Sequence, residues 1–128
     1  MIRLADDPFP NQAQLDQLWL AAWGFVPEGY AQKVLPRSLA HVGALAGERL
    51  VGFVNVAWDG GVHAFLLDTC VDPDFRRRGL ATQLVGRAAA LARERGAHWL
   101  HVDYEPALEG FYRGCGFSPT AAGLIGLR

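Results

Sequence analysis

Residues 62–104 leave few folds open, because two β-type runs there are joined by a long helical one. A polar, arginine-rich loop follows the first run, 62–71, and an amphipathic stretch at 79–95 leads to the second, 98–104. Within 79–95, Leu80, Leu84, Ala88 and Leu91 share one helical stripe while Gln83, Arg87 and Glu94 fall off it, and Gly96 is a suitable stop. Two strands joined by a helix of this length lie parallel, with a right-handed crossover. The chain is therefore expected to build a sheet with at least one parallel pair.

Upstream, the pattern predicts antiparallel neighbours. The runs 41–46, 50–58 and 62–71 are separated by Gly47-Glu48 and Asp59-Gly60-Gly61, which are hairpin signals. Residues 2–5 read as a short opening strand. Leu15, Leu18, Trp19, Ala22 and Trp23 predict a helix over 12–23 ended by Gly24, and a second helical segment follows Pro27-Glu28-Gly29 with Tyr30, Val34, Leu35 and Leu39. Residues 98–104 alternate, with Trp99, His101 and Asp103 on one side and Leu100 and Val102 on the other; a last helix spans 106–113. This is an α/β (α+β) chain with one mixed sheet and helices on its faces, read as a single domain over 1–128.

Composition narrows the function classes. A net charge of −1 argues against a general nucleic-acid or membrane-surface binder, so the cluster Arg76-Arg77-Arg78 is a local feature. Cys70 and Cys115 form no CxxC and His41, His63 and His98 show no ligand spacing, so no metal site and no disulfide framework is expected. An acidic N-terminus without a long apolar run, and no stretch of the ~20 residues a bilayer needs, point to a cytoplasmic chain.

The loop itself, Val71-Asp72-Pro73-Asp74-Phe75-Arg76-Arg77-Arg78-Gly79-Leu80-Ala81, reads as an anion cradle. A helix N-terminus presents unpaired N–H groups and partial positive charge, a glycine lets a ligand approach the backbone, and three arginines add attraction. No Gly-Lys-Ser/Thr follows, which excludes a Walker A loop, and the dinucleotide fingerprint GxGxxG is absent. A second segment, Phe111-Tyr112-Arg113-Gly114-Cys115-Gly116-Phe117, ends a helix on glycines about thirty residues later.

Together these segments resemble the GCN5-related N-acetyltransferase (GNAT) family, whose signature is V-x-P-x-x-[QR]-x-x-G-x-[GA] followed by FYxxxGF. Val71, Pro73, Arg76, Gly79 and Ala81 fill the first part, and Phe111, Tyr112, Gly116 and Phe117 the second. The resemblance implies a mostly antiparallel central sheet with a parallel, splayed strand pair. It also implies acetyl-CoA as cosubstrate, its pyrophosphate held by Arg76, Arg77, Arg78, Gly79, Leu80 and Ala81 and its pantetheine arm alongside Thr69, Cys70 and Val71. Tyr112 matches the family's tyrosine that protonates the departing thiolate.

The general base stays open at this level. A lysine-like amine costs about 4.6 kcal/mol to deprotonate at pH 7 and an α-amine only about 1 kcal/mol, so a base matters more for the first. His101 matches a position where some members carry a catalytic glutamate, and Asp68 one where others carry an acidic residue. Glu105 and Asp103 follow, near the place of a pantetheine-binding asparagine that this chain lacks. A water relay is a further alternative. Trp19, Trp23, Phe25 and Tyr30 form an aromatic set, mostly core, of which one or two are expected to line an acceptor pocket.

Eleven residues follow Phe117, where the family usually closes with a fuller hairpin. Residues 124–127 are expected to give one short strand and 118–120 a shorter one. The acceptor site is then either open or completed by a second subunit, a homodimer joined by edge pairing.

The leading expectation is direct acetyl transfer from acetyl-CoA to the amine of a small-molecule or peptide acceptor, without metal, nucleic acid or membrane. The alternative is a non-catalytic acyl-CoA-binding sensor or partner-binding module, which needs the loop but neither Tyr112 nor a base.

Overall fold

A computed structural model of the protein describes all of residues 1–128. Five strands form one sheet in the order β1 (Ile2–Asp6), β2 (Ala40–Ala46), β3 (Arg49–Trp58), β4 (His63–Val71), β5 (Trp99–His101). The first three pairings are antiparallel and β4–β5 is parallel, as the helix between the last two strands requires. The helices are α1 (Gln12–Trp23), α2 (Tyr30–Lys33), α3 (Leu80–Glu94) and α4 (Glu109–Gly114), with short 3-10 turns at Leu35–Arg37, Pro73–Phe75 and Pro106–Leu108. The expected second helix thus divides into α2 and a 3-10 turn, where Pro36 cannot donate to a continuing ladder.

The sheet separates two apolar layers. On one face α3 lays Leu80, Leu84, Val85, Ala88, Leu91 and Ala92 against a set that includes Val42, Val54, Val56, Ala64 and Leu66. A Cβ on Gly52 would stand 2.9 Å from the Leu84 Cδ1, so the glycine lets α3 sit close to β3. On the other face Leu15, Leu18 and Trp19 of α1 join Tyr30, Leu35, Phe53 and Cys70. Helix α1 starts on a capping box in which Asn11 and Gln14 satisfy one another's backbone N–H groups, and ends on left-handed Gly24.

One irregularity in β4 positions everything that follows. Phe53 faces Cys70 while Asn55 faces Leu67, so β4 carries one more residue than β3 across this stretch. The surplus is a bulge at Asp68 and Thr69, and Asp68 adopts a left-handed backbone with φ 58°. Bulges raise twist, and here β4 turns away from β5: their pairing runs only from His63–Trp99 to Phe65–His101. The strand expected over 98–104 is accordingly limited to Trp99–His101, although exposure still alternates through Asp103.

The expected C-terminal strands do not form. Leu124, Ile125 and Leu127 are 85, 85 and 94 % exposed, and 117–128 contain no strand. Gly123 and Gly126 bracket a β-prone pair too short to hold a ladder, and Pro119 lacks the donor that 118–120 would need.

Candidate active site at the opening between β4 and β5

Beyond the Phe65–His101 rung the side of β4 that faces β5 has no strand partner, which leaves the two strands unpaired along Leu66 to Val71. The arginine-rich loop stands at the upper end of this stretch. Asp72, 2 % exposed, holds this loop in shape: one carboxylate oxygen accepts the Asp74 N–H at 2.9 Å and the other the Arg49 guanidinium at 2.6 Å. Arg49 and Arg78 lie 5.4 and 5.1 Å from the Phe75 ring centre, so the aromatic ring braces the turn. Arg76 Nε donates to the Val71 carbonyl at 3.2 Å, tying the loop back to the end of β4.

Two left-handed residues, Arg77 (φ 64°) and Gly79 (φ 72°), swing the backbone into α3. No side chain caps this helix, and its first i to i−4 bond is Gln83 N–H to Gly79 O at 3.1 Å. The N–H groups of Leu80, Ala81 and Thr82 therefore project without an intrahelical partner, at the positive end of the longest helix. A Cβ on Gly79 would meet nothing within 4 Å, so the position needs glycine for its φ and leaves room for a ligand. This arrangement fits an extended polyanion with a neutral arm: N–H groups and arginines at the top, unpaired strand edge below.

Tyr112 enters from α4. It is 8 % exposed, stacked on Tyr104 with ring centres 4.9 Å apart, and edge-on to Phe111 and Phe117. Burial pushes the phenol above its ordinary pKa, with the Asp103 carboxylate adding to the rise and the Thr69 side chain opposing it. The group is thus a protonated hydroxyl beside the bulge of β4. The thiols of Cys70 and Cys115 are also pushed up by burial, which disfavours thiolate at either.

The candidate bases separate in space. Asp68 sits in the bulge, half-buried, and accepts the Tyr30 hydroxyl at 2.7 Å; burial raises its carboxyl pKa and the Tyr30 bond partly offsets this. His101 occupies the last β4–β5 rung on the exposed side of the sheet, stacked on Phe65 at 4.8 Å and hydrogen-bonded through Nε2 to His63 Nδ1 at 2.8 Å. Asp103 and Glu105 lie past the end of β5 on exposed chain. The bulge puts Thr69 beside Tyr112 and turns Asp68 to Tyr30, whereas His101 stands at the last β4–β5 rung.

Three residues gain importance that sequence reasoning did not give them. Tyr30 belonged to the aromatic core set, yet its hydroxyl fixes Asp68 from 38 positions away. His63, which shows no ligand spacing in the sequence, is the partner of His101, and Tyr104 is the stacking face for Tyr112. Of the aromatic set, Trp19 and Tyr30 are core, while Trp23 and Phe25 stack on each other with exposures of 42 and 57 %.

Comparison with known proteins agrees with this geometry. The acetyltransferase (GNAT) family model matches residues 1–117. An uncharacterized N-acetyltransferase from Methanocaldococcus jannaschii is 43 % identical over 77 residues, 52 % of this chain and 34 % of that protein. A GNAT family acetyltransferase from Streptococcus pneumoniae TIGR4 superposes with a TM-score of 0.84 at 27 % identity, covering 100 % of this chain and 98 % of the other. An aminoglycoside N-acetyltransferase solved in complex with CoA shares the fold, with a TM-score of 0.76 at 19 % identity over 100 % of this chain and 95 % of that one. The chain spans less than half the length of the curated relatives it matches.

Proposed function

Because the chain belongs to the acetyltransferase (GNAT) family, we propose that it moves an acetyl group directly from acetyl-CoA to the amine of a small-molecule or peptide acceptor. The observation that carries this reading is the placement of an N–H-lined loop and a buried, protonated tyrosine along one opening between β4 and β5.

Acetyl-CoA, when bound, supplies an activated acyl group. The first-turn N–H groups of α3 and the side chains of Arg76, Arg77 and Arg78 hold its pyrophosphate, and the free edge of β4 at Thr69, Cys70 and Val71 pairs with the amide-bearing arm. The acceptor nitrogen attacks the acetyl carbon, the C–S bond breaks as the N–C bond forms, and the electron pair leaves on sulfur. Tyr112 gives its hydroxyl proton to that sulfur, which its protonated state suits.

The proton from the acceptor nitrogen goes to a base on the exposed side of the sheet. His101 is favoured over Asp68, because one Asp68 oxygen already holds the Tyr30 hydroxyl and the carboxylate is half-buried. His63 takes the other side of the His101 ring and so orients it. Both cysteine thiols are raised by burial, which supports direct transfer over a thioester on the protein.

Thiol release from acetyl-CoA, measured against polyamine, aminoglycoside, amino-acid and peptide amines, tests the reading. Release that depends on an amine and yields its acetamide is the expected result. Tight acetyl-CoA binding with no release on any amine identifies a binding module instead.

A further inference from the structure

An apolar strip lies on the open face of the sheet immediately below the β4–β5 opening. Leu67 and Phe65 of β4 and Trp99 of β5 are 39, 38 and 65 % exposed, and His63 and His101 fill the space between them. The strand register makes these residues contiguous: Phe65 faces His101, and His63 faces Trp99, one rung further from the opening. From Leu67 to His63 the strip runs about 13 Å at a rise of ~3.3 Å per residue. The Phe65–His101 stack at 4.8 Å and the 2.8 Å histidine bond fix its middle.

Charge is distributed unevenly along it. The carboxylates stand at the end nearest the opening, with Asp68 in the bulge and Asp103 two residues beyond His101. Asp59, in the hairpin at the far end, is turned onto the Gly61 N–H at 2.7 Å. The strip between them carries no carboxylate. A polycation needs acidic groups spread along its length, whereas this surface offers acid at one end and rings along the rest.

We propose that this strip is the floor of the acceptor site and that the acceptor is a monoamine on an apolar, aromatic skeleton. Its ammonium end lies at the His101 rung, on the side toward Asp68 and Asp103, and its body rests on Phe65 and Trp99. The inference rests on the acetyl-transfer reading and names the acceptor class for that same site. The strip is continuous with the opening, which favours a substrate over a second copy of the chain as its occupant.

The test is calorimetric titration of the full chain, saturated with CoA, with phenethylamine and with neamine, a polycationic aminoglycoside fragment. Phenethylamine is expected to bind at least about ten-fold more tightly, and Phe65→Ser and Trp99→Ser each to raise its Kd about five-fold or more. Both positions are solvent-exposed, and unchanged melting curves identify correctly folded variants. Equal or tighter neamine binding overturns the proposal, as does a phenethylamine Kd that neither substitution moves. Sedimentation of the same samples detects the other occupant: a dimer that Phe65→Ser dissociates while phenethylamine binding stays unchanged also overturns it. Thiol release from acetyl-CoA is read separately. Phenethylamine that binds as expected, with no amine of the panel acetylated, sinks the transfer reading and leaves the amine site standing.

Discussion

The Tyr30 hydroxyl donates a 2.7 Å hydrogen bond to the Asp68 carboxylate, joining the short helix α2 to the bulge that turns β4 away from β5. Asp68 is there in a left-handed conformation, which aspartate and asparagine tolerate better than other residues with a Cβ. Tyr30→Phe leaves a half-buried carboxylate without this donor and is expected to cost about 1–3 kcal/mol. The bond stabilises the charged form of a carboxyl whose pKa burial already raises. The deficit should therefore be larger at pH 7 than at acidic pH and shrink as the carboxyl takes up its proton, so pH 7 and pH 4 are compared. Denaturant titration of wild type and variant at both pH values checks this, and an equal deficit at both contradicts it.

Tyr112→Phe removes one oxygen from a stacked, buried ring and keeps the packing on Tyr104. Turnover is expected to fall about 10²–10⁴-fold, the usual range for a lost proton donor, while the acetyl-CoA Kd stays within about two-fold. Single-turnover kinetics beside equilibrium binding separate the two effects. Unchanged turnover removes Tyr112 from the mechanism.

Asp72→Ala deletes the side chain that both caps the 3-10 turn after β4 and pairs with Arg49. A lost cap of this kind costs about 1–2 kcal/mol. The loop ahead of α3 is shaped by the same contacts, so acetyl-CoA affinity is expected to fall about ten-fold as well. Isothermal titration and thermal melts read the two losses, and Asp72→Asn, which keeps the cap acceptor, should recover most of the stability. An unchanged acetyl-CoA Kd in the alanine variant separates Asp72 from the binding loop.

His41 is 1 % exposed, its Nε2 accepts the Phe9 N–H at 3.0 Å, and burial pushes its pKa below the ordinary value despite the nearby Asp7. The unfolded chain then binds a proton here more readily than the folded one. Its contribution to stability is full above the unfolded value of ~6.5 and is lost as pH falls below it toward the folded pKa. Melting temperature should therefore drop between pH 7 and pH 5, and His41→Gln should flatten that slope. A slope that survives the substitution assigns it to other groups.

Much of the loop and helix start after β4 was legible in the chain itself. Gly79 at the head of the seventeen-residue amphipathic stretch 79–95, with three arginines before it, reads as a helix start suited to an anion, because helix periodicity and a positive-φ requirement are local properties. The same periodicity required the parallel β4–β5 pair and the face that α3 buries. Tyr112 was legible as a residue of a short motif, and its raised pKa follows from the burial that the fold supplies.

What only the tertiary structure decided are contacts between residues distant in sequence. The bulge at Asp68 arises from the match of β4 to β3, and no local pattern marks which residue is the surplus one. Tyr30 meets Asp68, and His63 meets His101, across separations of 38 residues each, so their pairing depends on strand register and helix docking. The tail from Phe117 onward shows the converse: Ile125 has β propensity, but a strand exists only where it pairs with a sheet edge, and this segment pairs with none. The sequence by itself therefore determined the arginine-rich loop and the helix start that follows it. The register of β4 and β5 decided the face on which Phe65, His63, His101 and Trp99 meet, because side chains on paired strands become neighbours only once the pairing is set.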